Sequence, residues 1–372
     1  MRKILKAGKI LLIVLAVLLL VTYLFMQQAA FGKLPSGKRL ERIQKSPHYK
    51  DNAFQNLETT PMMAPEASYT SLVWKFFNPG PLLEPTMALP IIKTDLKALP
   101  QDQPVMVWFG HSSYLLSIGG KNILVDPVFS QRPSPVQYAG SKSFMGTMAY
   151  TPADFPDLDL VIITHDHYDH LDYGTIQQLK AKTKLFCTAL GVGTHLAYWG
   201  VDESRIREFD WWEGDTTVAP GISLTATPAR HFSGRGFTRN KTLWASFVLK
   251  TGGKTIFVGG DSGYDASFKK IGDTFGPFDI AMVECGQYNA YWPYIHMMPE
   301  QTIQAAADLN TKVLLPVHWG KFRLAMHPWK EPIERAIKQA EKMNVKTTTP
   351  RIGEVILLNG TLPDTRWWEG YN

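Results

Sequence analysis

The chain has 372 residues, 45% of them hydrophobic and 19% charged, the balance of a globular protein that forms one large α/β domain or two small ones after its first fifty residues. The net charge of +6 sits at one end: residues 1–50 hold ten basic residues and one acidic, leaving 29 basic and 32 acidic, a balance of −3, for the other 322. A basic nucleic-acid-binding body is thereby not indicated, and Cys187 and Cys285, each beside apolar neighbours, read as buried thiols rather than as nucleophile or metal ligands.

In chain order, Arg2, Lys3, Lys6 and Lys9 precede an almost wholly apolar run, Ile10–Met26, which makes about 26 Å of helix at 1.5 Å per residue. That is short for a span and long for the core of a signal peptide. Ala29-Ala30 resembles a cleavage site, but Gln28 stands where a small residue is wanted. Residues 1–30 therefore read as an uncleaved single-pass membrane anchor in preference to a removed signal. The four N-terminal charges favour keeping that end in the cytoplasm and the rest of the chain on the extracytoplasmic (periplasmic) side, against the pull of Lys33, Lys38, Arg39, Arg42 and Lys45 beyond the run.

Residues 31–103 lack strong periodicity and carry Pro61, Pro65, Pro79, Pro81, Pro85 and Pro90, with apolar pieces at Val73-Trp74-Lys75-Phe76-Phe77 and Met87-Ala88-Leu89. They read as an arm laid over a domain of residues 104–372. In that domain Tyr114–Val125 predicts a hairpin turning at Gly119-Gly120-Lys121. Helices are expected over 173–182, 299–309 and 332–343, the last two opened by proline.

The apolar run Leu158–Ile163 gives way to Thr164-His165-Asp166-His167-Tyr168-Asp169-His170. Three imidazoles and a carboxylate in H-x-H-x-D-H spacing beside a core each need a partner, and a metal ion is the partner that serves them together. In an extended segment His165 and His167 share one face, and past the turn Asp169 and His170 can serve a second ion. Later strand-like runs end in the same residue types: His231 after Ile222–Thr227, Asp261 in Gly260-Asp261-Ser262-Gly263 after Thr255–Val258, and His318 in His318-Trp319-Gly320 after Val313–Val317. Imidazole with carboxylate suits zinc first, with iron or manganese as lesser options. No Gly-x-Ser-x-Gly elbow competes.

This series of motifs resembles the metallo-β-lactamase superfamily in its two-metal hydrolase form. The segments Trp108–Ser113, Leu124–Phe129, Ala229–Arg235 and Pro316–Gly320 are similar to the branch that contains N-acylphosphatidylethanolamine-hydrolysing phospholipase D, over residues from about 35 to about 356. The resemblance implies a four-layer αββα sandwich. It puts His165, His167 and His231 on one metal, Asp169, His170 and His318 on the other, and Asp261 between them with a water or hydroxide as attacking group. It implies a substrate contact at His296, with Tyr291 and Trp292 beside it, and a supporting or catalytic place for Asp166, His111 and Asp126. A solvated loop carboxylate is an equal reading of Asp166, and a structural hydrogen bond an equal reading of His111. Trp211, Trp212, Phe232, Tyr288, Tyr291, Trp292 and Tyr294 are candidates for lining a lipid approach, since Trp and Tyr favour membrane interfaces, and each is also an ordinary core aromatic. His48, His195 and His327 are expected at the surface.

The implied function is that of a membrane-anchored hydrolase with two zinc ions per chain, cleaving N-acylphosphatidylethanolamine to phosphatidic acid and N-acylethanolamine. A metallo-hydrolase of a lactone or soluble phosphodiester is the alternative within enzymes. A non-catalytic membrane-tethered binding protein is the alternative outside them, and the complete ligand set argues against it.

Overall fold

A computed structural model describes residues 2–65, 67–78 and 80–371; Pro79 of the arm lies outside the described residues. Helix α1 (Arg2–Met26) takes in the apolar run and its basic leader. Its segment Leu5–Met26 is long and apolar enough to cross a membrane, and none of that stretch is buried against the protein. Immediately beyond, the chain is fastened to the domain. Trp199 Nε1 donates to the Ala29 carbonyl at 2.7 Å and Arg235 Nη2 to the Ala30 carbonyl at 2.7 Å, while the Lys33 amide donates to His195 Nδ1 at 3.1 Å. In α2 (Gly37–Gln44) Arg39 pairs with Glu203 and Glu208, and Arg42 pairs with Glu213. Two of the five basic residues beyond the apolar run are thus neutralised by the domain.

The arm continues through a small hairpin, β1 (Tyr49–Lys50) and β2 (Ala53–Phe54), to α3 (Tyr69–Phe77). Its firmest hold is Asn56, whose amide nitrogen donates to the His231 carbonyl at 2.8 Å while its oxygen accepts from the His231 amide and from Trp244 Nε1 at 3.1 Å. Leu89 is buried as expected. Met87, Val73 and Trp74 are not: they stand 50%, 55% and 70% exposed. Helix α3 leans on the domain through Ser71, 2.6 Å from Tyr291 Oη, and through Lys75 over the Tyr291 ring, which leaves Val73 and Trp74 on the outward side.

The domain proper begins with β3 (Val105–Trp108), β4 (Tyr114–Ile118), β5 (Lys121–Val125) and β6 (Leu158–Ile163), followed by α4 (Tyr173–Leu179), β7 (Thr183–Ala189), α5 (Gly193–Tyr198) and β8 (Ile206–Phe209). The second half runs through β9 (Gly214–Ala219), β10 (Ile222–Thr227), β11 (Ser246–Thr251), β12 (Lys254–Val258), α6 (Ser267–Phe275), β13 (Ile280–Glu284), α7 (Pro299–Asp308), β14 (Leu314–Val317), α8 (Glu331–Met343) and β15 (Val355–Leu357). The expected hairpin is β4–β5, with Gly119 and Gly120 both left-handed at φ 60° and 71°, a turn that glycine makes without strain. The expected helices are α4, which stops at Leu179, α7 and α8.

One sheet has the order β15-β3-β4-β5-β6-β7-β8 and the other β14-β13-β12-β11-β10-β9. Strands β4 and β13 are buried along their whole length, which happens when a sheet is covered on both faces. Residues of both sheets, among them Leu116, Val161, Phe247 and Phe257, share one core, and helices cover the outer faces, giving the αββα sandwich. Strands β5 to β8 pair in parallel, as do β12 to β14. The carboxyl ends of β6, β12, β13 and β14 therefore deliver Thr164–His170, Gly259–Gly263, Glu284 and His318 to one edge.

Replacing Asn56 by Ala removes the arm's hydrogen bonds to both main-chain groups of His231 and should destabilise the fold by about 1–3 kcal/mol. Urea unfolding of the variant against wild type checks this.

Candidate metal centre

Three of the imidazoles at this edge are aimed by a partner behind them. His165 Nδ1 is 3.0 Å from Thr164 Oγ1, His170 Nδ1 is 2.8 Å from Asp126 Oδ2, and His231 Nδ1 is 2.8 Å from the Ile295 carbonyl. With those nitrogens engaged, the Nε2 atoms face inward. His165 Nε2 and His231 Nε2 lie 2.9 and 3.2 Å from His167 Nδ1. Donors held about 2.0–2.1 Å from a tetrahedral ion stand roughly 3.3 Å apart, so this triangle has the dimensions of a metal site.

A second group stands beside it. His170 Nε2 lies 3.5 Å from Asp169 Oδ2 and 3.1 Å from Asp261 Oδ2, and His318 Nδ1 is 3.1 Å from Asp261 Oδ1. His111 Nε2 reaches Asp169 Oδ2 at 2.9 Å, which makes His111 a fourth member of this group. Asp261 Oδ2 is 3.8 Å from both His165 Nε2 and His231 Nε2, so its carboxylate stands between the two groups. Among the described residues, His170 Nε2 and Asp261 Oδ1 are buried without a hydrogen-bond partner. Leaving such atoms unmatched is costly, and a donor set of imidazole and carboxylate with orphaned atoms facing one point fits divalent cations.

The electrostatics agree. Burial, then the charges of neighbouring imidazoles, hold His165 and His318 well below the ordinary histidine range. Burial does the same for His231, helped by His296 and His167, and brings His167 to about 4. These rings stay neutral, with lone pairs free for a cation. Burial raises Asp261 to about 6 against the pull of His170, and holds Glu284 well above the ordinary carboxylate range. Burial also works against a charged His170, yet Asp261, Asp169 and Asp126 together raise it well above the usual value. Three carboxylates converging on one ring call for positive charge at that spot.

Backbone strain is concentrated in the same place. His111, Asp126 and His318 have left-handed φ of 54°, 39° and 68°, each costing on the order of 1–3 kcal/mol for residues other than glycine. Reciprocal bonds hold them: the His111 amide donates to Trp319 O at 2.8 Å and the His318 amide to His111 O at 3.0 Å. At Gly286 a Cβ would lie 2.1 Å from the His318 carbonyl, so that position needs glycine for close approach.

Asp166 is not within reach of this chemistry. Its carboxylate accepts from the Gly234 amide at 2.7 Å and Thr242 Oγ1 at 2.8 Å and meets His195 Nε2 at 3.2 Å, all on the far side of the loop. Burial alone would raise its pKa, but the bond and charge of His195, with His167 and Arg235, hold it low. It is a brace for the H-x-H-x-D-H loop. His195, expected at the surface, is buried between Asp166 and Lys33. His327 accepts from the Gln287 amide at 3.1 Å and stacks on Tyr288, and His48 packs on Trp211. These histidines fill structural roles that depend on neighbours far away in the chain.

His296 lies at the cleft with Nδ1 2.9 Å from Glu284 Oε2, and its ring stacks on His318. A cavity of about 190 Å³ opens over the two donor groups, with Phe232, Trp292, Ile295 and Leu324 on its walls. Of the seven aromatics expected there, Phe232 and Trp292 line it. Tyr291 faces Ser71 and Lys75 instead, Trp211 is buried against Trp244, Trp212 stacks on Phe275, Tyr288 meets Glu331 and Tyr294 lies under Arg230. Sequence reasoning passed over Glu284 and Ser112, the latter 3.0 Å from His318 Nδ1. Glu284 had a signal, because it ends an apolar strand much as Asp261 follows one; Ser112 had none.

Residues 121–319 match the family model of the β-lactamase superfamily domain, and the chain belongs to that superfamily. An uncharacterized protein of Mycobacterium tuberculosis is 38% identical over 330 residues, 87% of this chain and 88% of that one. N-acyl-phosphatidylethanolamine-hydrolyzing phospholipase D 1 of Caenorhabditis elegans is 30% identical over 227 residues, 58% of this chain and 63% of the relative. Among solved structures, Igni18, a metallo hydrolase from Ignicoccus hospitalis, superposes with a TM-score of 0.53 at 23% identity over 68% of this chain and 97% of its own. The protein has a metallo-β-lactamase fold and is a metal-dependent hydrolase of this superfamily, in a branch similar to the N-acylphosphatidylethanolamine phospholipases.

Metal analysis of zinc-reconstituted protein should return two ions per chain, and fewer than about one would defeat the dinuclear reading. Asp261→Ala should lower occupancy at both positions. Asp126→Asn, which keeps the shape but weakens the support of His170, should reduce metal affinity by about 10–100-fold.

Proposed function

We propose that the protein is a membrane-anchored phospholipase D-type phosphodiesterase with two zinc ions, which cleaves N-acylphosphatidylethanolamine into phosphatidic acid and N-acylethanolamine. The observation that carries this is the pair of buried donor groups sharing Asp261, in a chain 30% identical over 227 residues to the C. elegans protein named for that reaction. A pair of divalent cations bound there supplies Lewis acidity toward phosphoryl oxygens and an activated water at neutral pH.

The chain's own residues do the rest. His165, His167 and His231 hold one position and Asp169, His170 and His318 the other, with Asp261 serving both. Asp126, Thr164 and the Ile295 carbonyl fix the ring orientations, so the site is preorganised rather than assembled by substrate. His296, its Nδ1 taken by Glu284, has Nε2 left for a substrate oxygen at the leaving-group side. Phe232 and Trp292 exclude water from the cleft walls. Helix α1 is the anchor, and the basic residues at its start favour a domain on the extracytoplasmic side.

The small cleft is the one observation that favours the second reading, a lactone or soluble phosphodiester. Pockets that enclose a drug-sized ligand run to about 300–1,000 Å³, and this one is about 190 Å³.

A lipid-extract screen with metal-loaded protein in detergent, with products read by mass spectrometry, separates the two. In water enriched in heavy oxygen the label should enter phosphatidic acid and not the N-acylethanolamine, because attack is at phosphorus. Label in the alcohol, release of fatty acid, or turnover of small esters alone would move the assignment to the second reading. His296→Ala should lower kcat while metal content stays at the wild-type level.

A further inference from the structure

The loop that follows the metal-site segment His231–Phe232 lies against the anchor. Gly236, Phe237, Thr238 and Arg239 are exposed, and Phe237, at 84%, is more exposed than the other large apolar side chains described. Full burial of such a side chain is worth about 1.5–3 kcal/mol, so leaving it in water forgoes that stabilisation. Phe237 and Thr238 line a cavity of about 730 Å³ together with Leu19, Tyr23 and Met26 of α1. Leu19 precedes Met26 by seven residues, which is roughly 10 Å along a helix. The loop thus lies alongside the last two turns of α1, inside the apolar stretch Leu5–Met26.

The pose is fixed. Besides the bonds that fasten Ala29, Ala30 and Lys33 to the domain, Phe31 packs edge-on against both Phe25 of α1 and Tyr168 of the metal loop. A helix held this way sets the height of everything packed beside it. We infer that the loop Gly234–Lys241 is a second membrane-contact element, in which Phe237 inserts among the acyl chains of the leaflet facing the domain while Arg239 meets the lipid phosphates. The inference rests on reading α1 as membrane-spanning. Its partner is a phospholipid bilayer, chosen because Phe237 shares its cavity with that helix and because an exposed arginine beside an exposed phenylalanine matches the layering of apolar chains beneath anionic head groups. The inserted loop would seat the catalytic cleft beside the bilayer, since Phe232 lies on the cleft wall and against His167.

The test uses the full chain with Phe237→Cys, labelled with an environment-sensitive dye and reconstituted into vesicles of phosphatidylcholine and phosphatidylglycerol. Both native cysteines are buried, so labelling is selective. Lys184→Cys is the control. Its side chain is exposed at the start of β7 and is not among the residues that line the cavity beside α1. The expected result is a blue-shifted dye at 237, quenched several-fold more by lipids spin-labelled high in the acyl chain than the dye at 184, and little quenched by aqueous iodide. Equal iodide quenching at both positions would overturn the inference. Shielding from both quenchers with disulfide-linked dimers would overturn it in favour of a second copy of the chain. A protein that failed to float with the vesicles would overturn the anchor reading and this inference together. None of these readouts depends on hydrolysis, so they leave the proposed reaction to its own test.

Discussion

A buried nitrogen or oxygen with no partner costs a few kcal/mol, and at one edge of this sandwich His170 Nε2 and Asp261 Oδ1 are such atoms, within a set of donors that converges on two points. Asp261 binds the arrangement together. One oxygen faces His318, the other faces His170 and, farther off, His165 and His231. Without positive charge at those points the cluster is internally unfavourable, because burial opposes ionisation of Asp261 while three carboxylates surround His170. Divalent cations remove both problems at once, and so the chemistry of the site and the stability of its surroundings have the same origin.

Holding donors at separations near 3 Å requires that the chain be bent against its preferences and then fixed there. The left-handed residues His111, Asp126 and His318 sit just past strand ends, where the backbone has left one sheet and must turn a side chain toward the other. Asp126 illustrates the economy of the support. One carboxylate orients His170 and accepts from both the amide and the hydroxyl of Thr164, while Thr164 in turn meets His165. A change at Asp126 is therefore felt on both donor groups, although Asp126 faces neither cleft nor substrate.

What the sequence disclosed followed from locality. H-x-H-x-D-H is compact, so its chemistry is readable without the fold, and the strand-terminal His231, Asp261 and His318 are visible as polar residues closing apolar runs. The roles of Asp166 and His195 were hidden because their partners lie 29 to 76 positions away or, for Lys33, 162. A histidine in a short helix such as α5 looks like a surface residue until tertiary contacts enclose it. The aromatics misled for a related reason: Trp and Tyr serve cores and interfaces alike, and nothing in the spacing of Trp211 or Tyr288 tells which. Glu284 is the one participant whose signal was present and passed over.

The hydrogen-bonded junction between α1 and the domain bears on how residues 1–30 are to be understood. Arg235 is buried, and its guanidinium donates to the carbonyls of Ala30, Asp166 and Leu171; Trp199 Nε1 has its bond to Ala29. Cleavage after Ala30 would replace those two acceptors with a mobile chain end and leave donors of a buried cation and an indole to find new partners. The same Arg235 steadies the backbone at Asp166 and Leu171, on either side of Asp169 and His170, so the segment leaving the helix and the segment carrying the donors are braced by one side chain. A removed leader needs no such joint. On the proposed reading of residues 1–30 as an anchor, this joint is what would hold the cleft of about 190 Å³ at a set distance from the lipids.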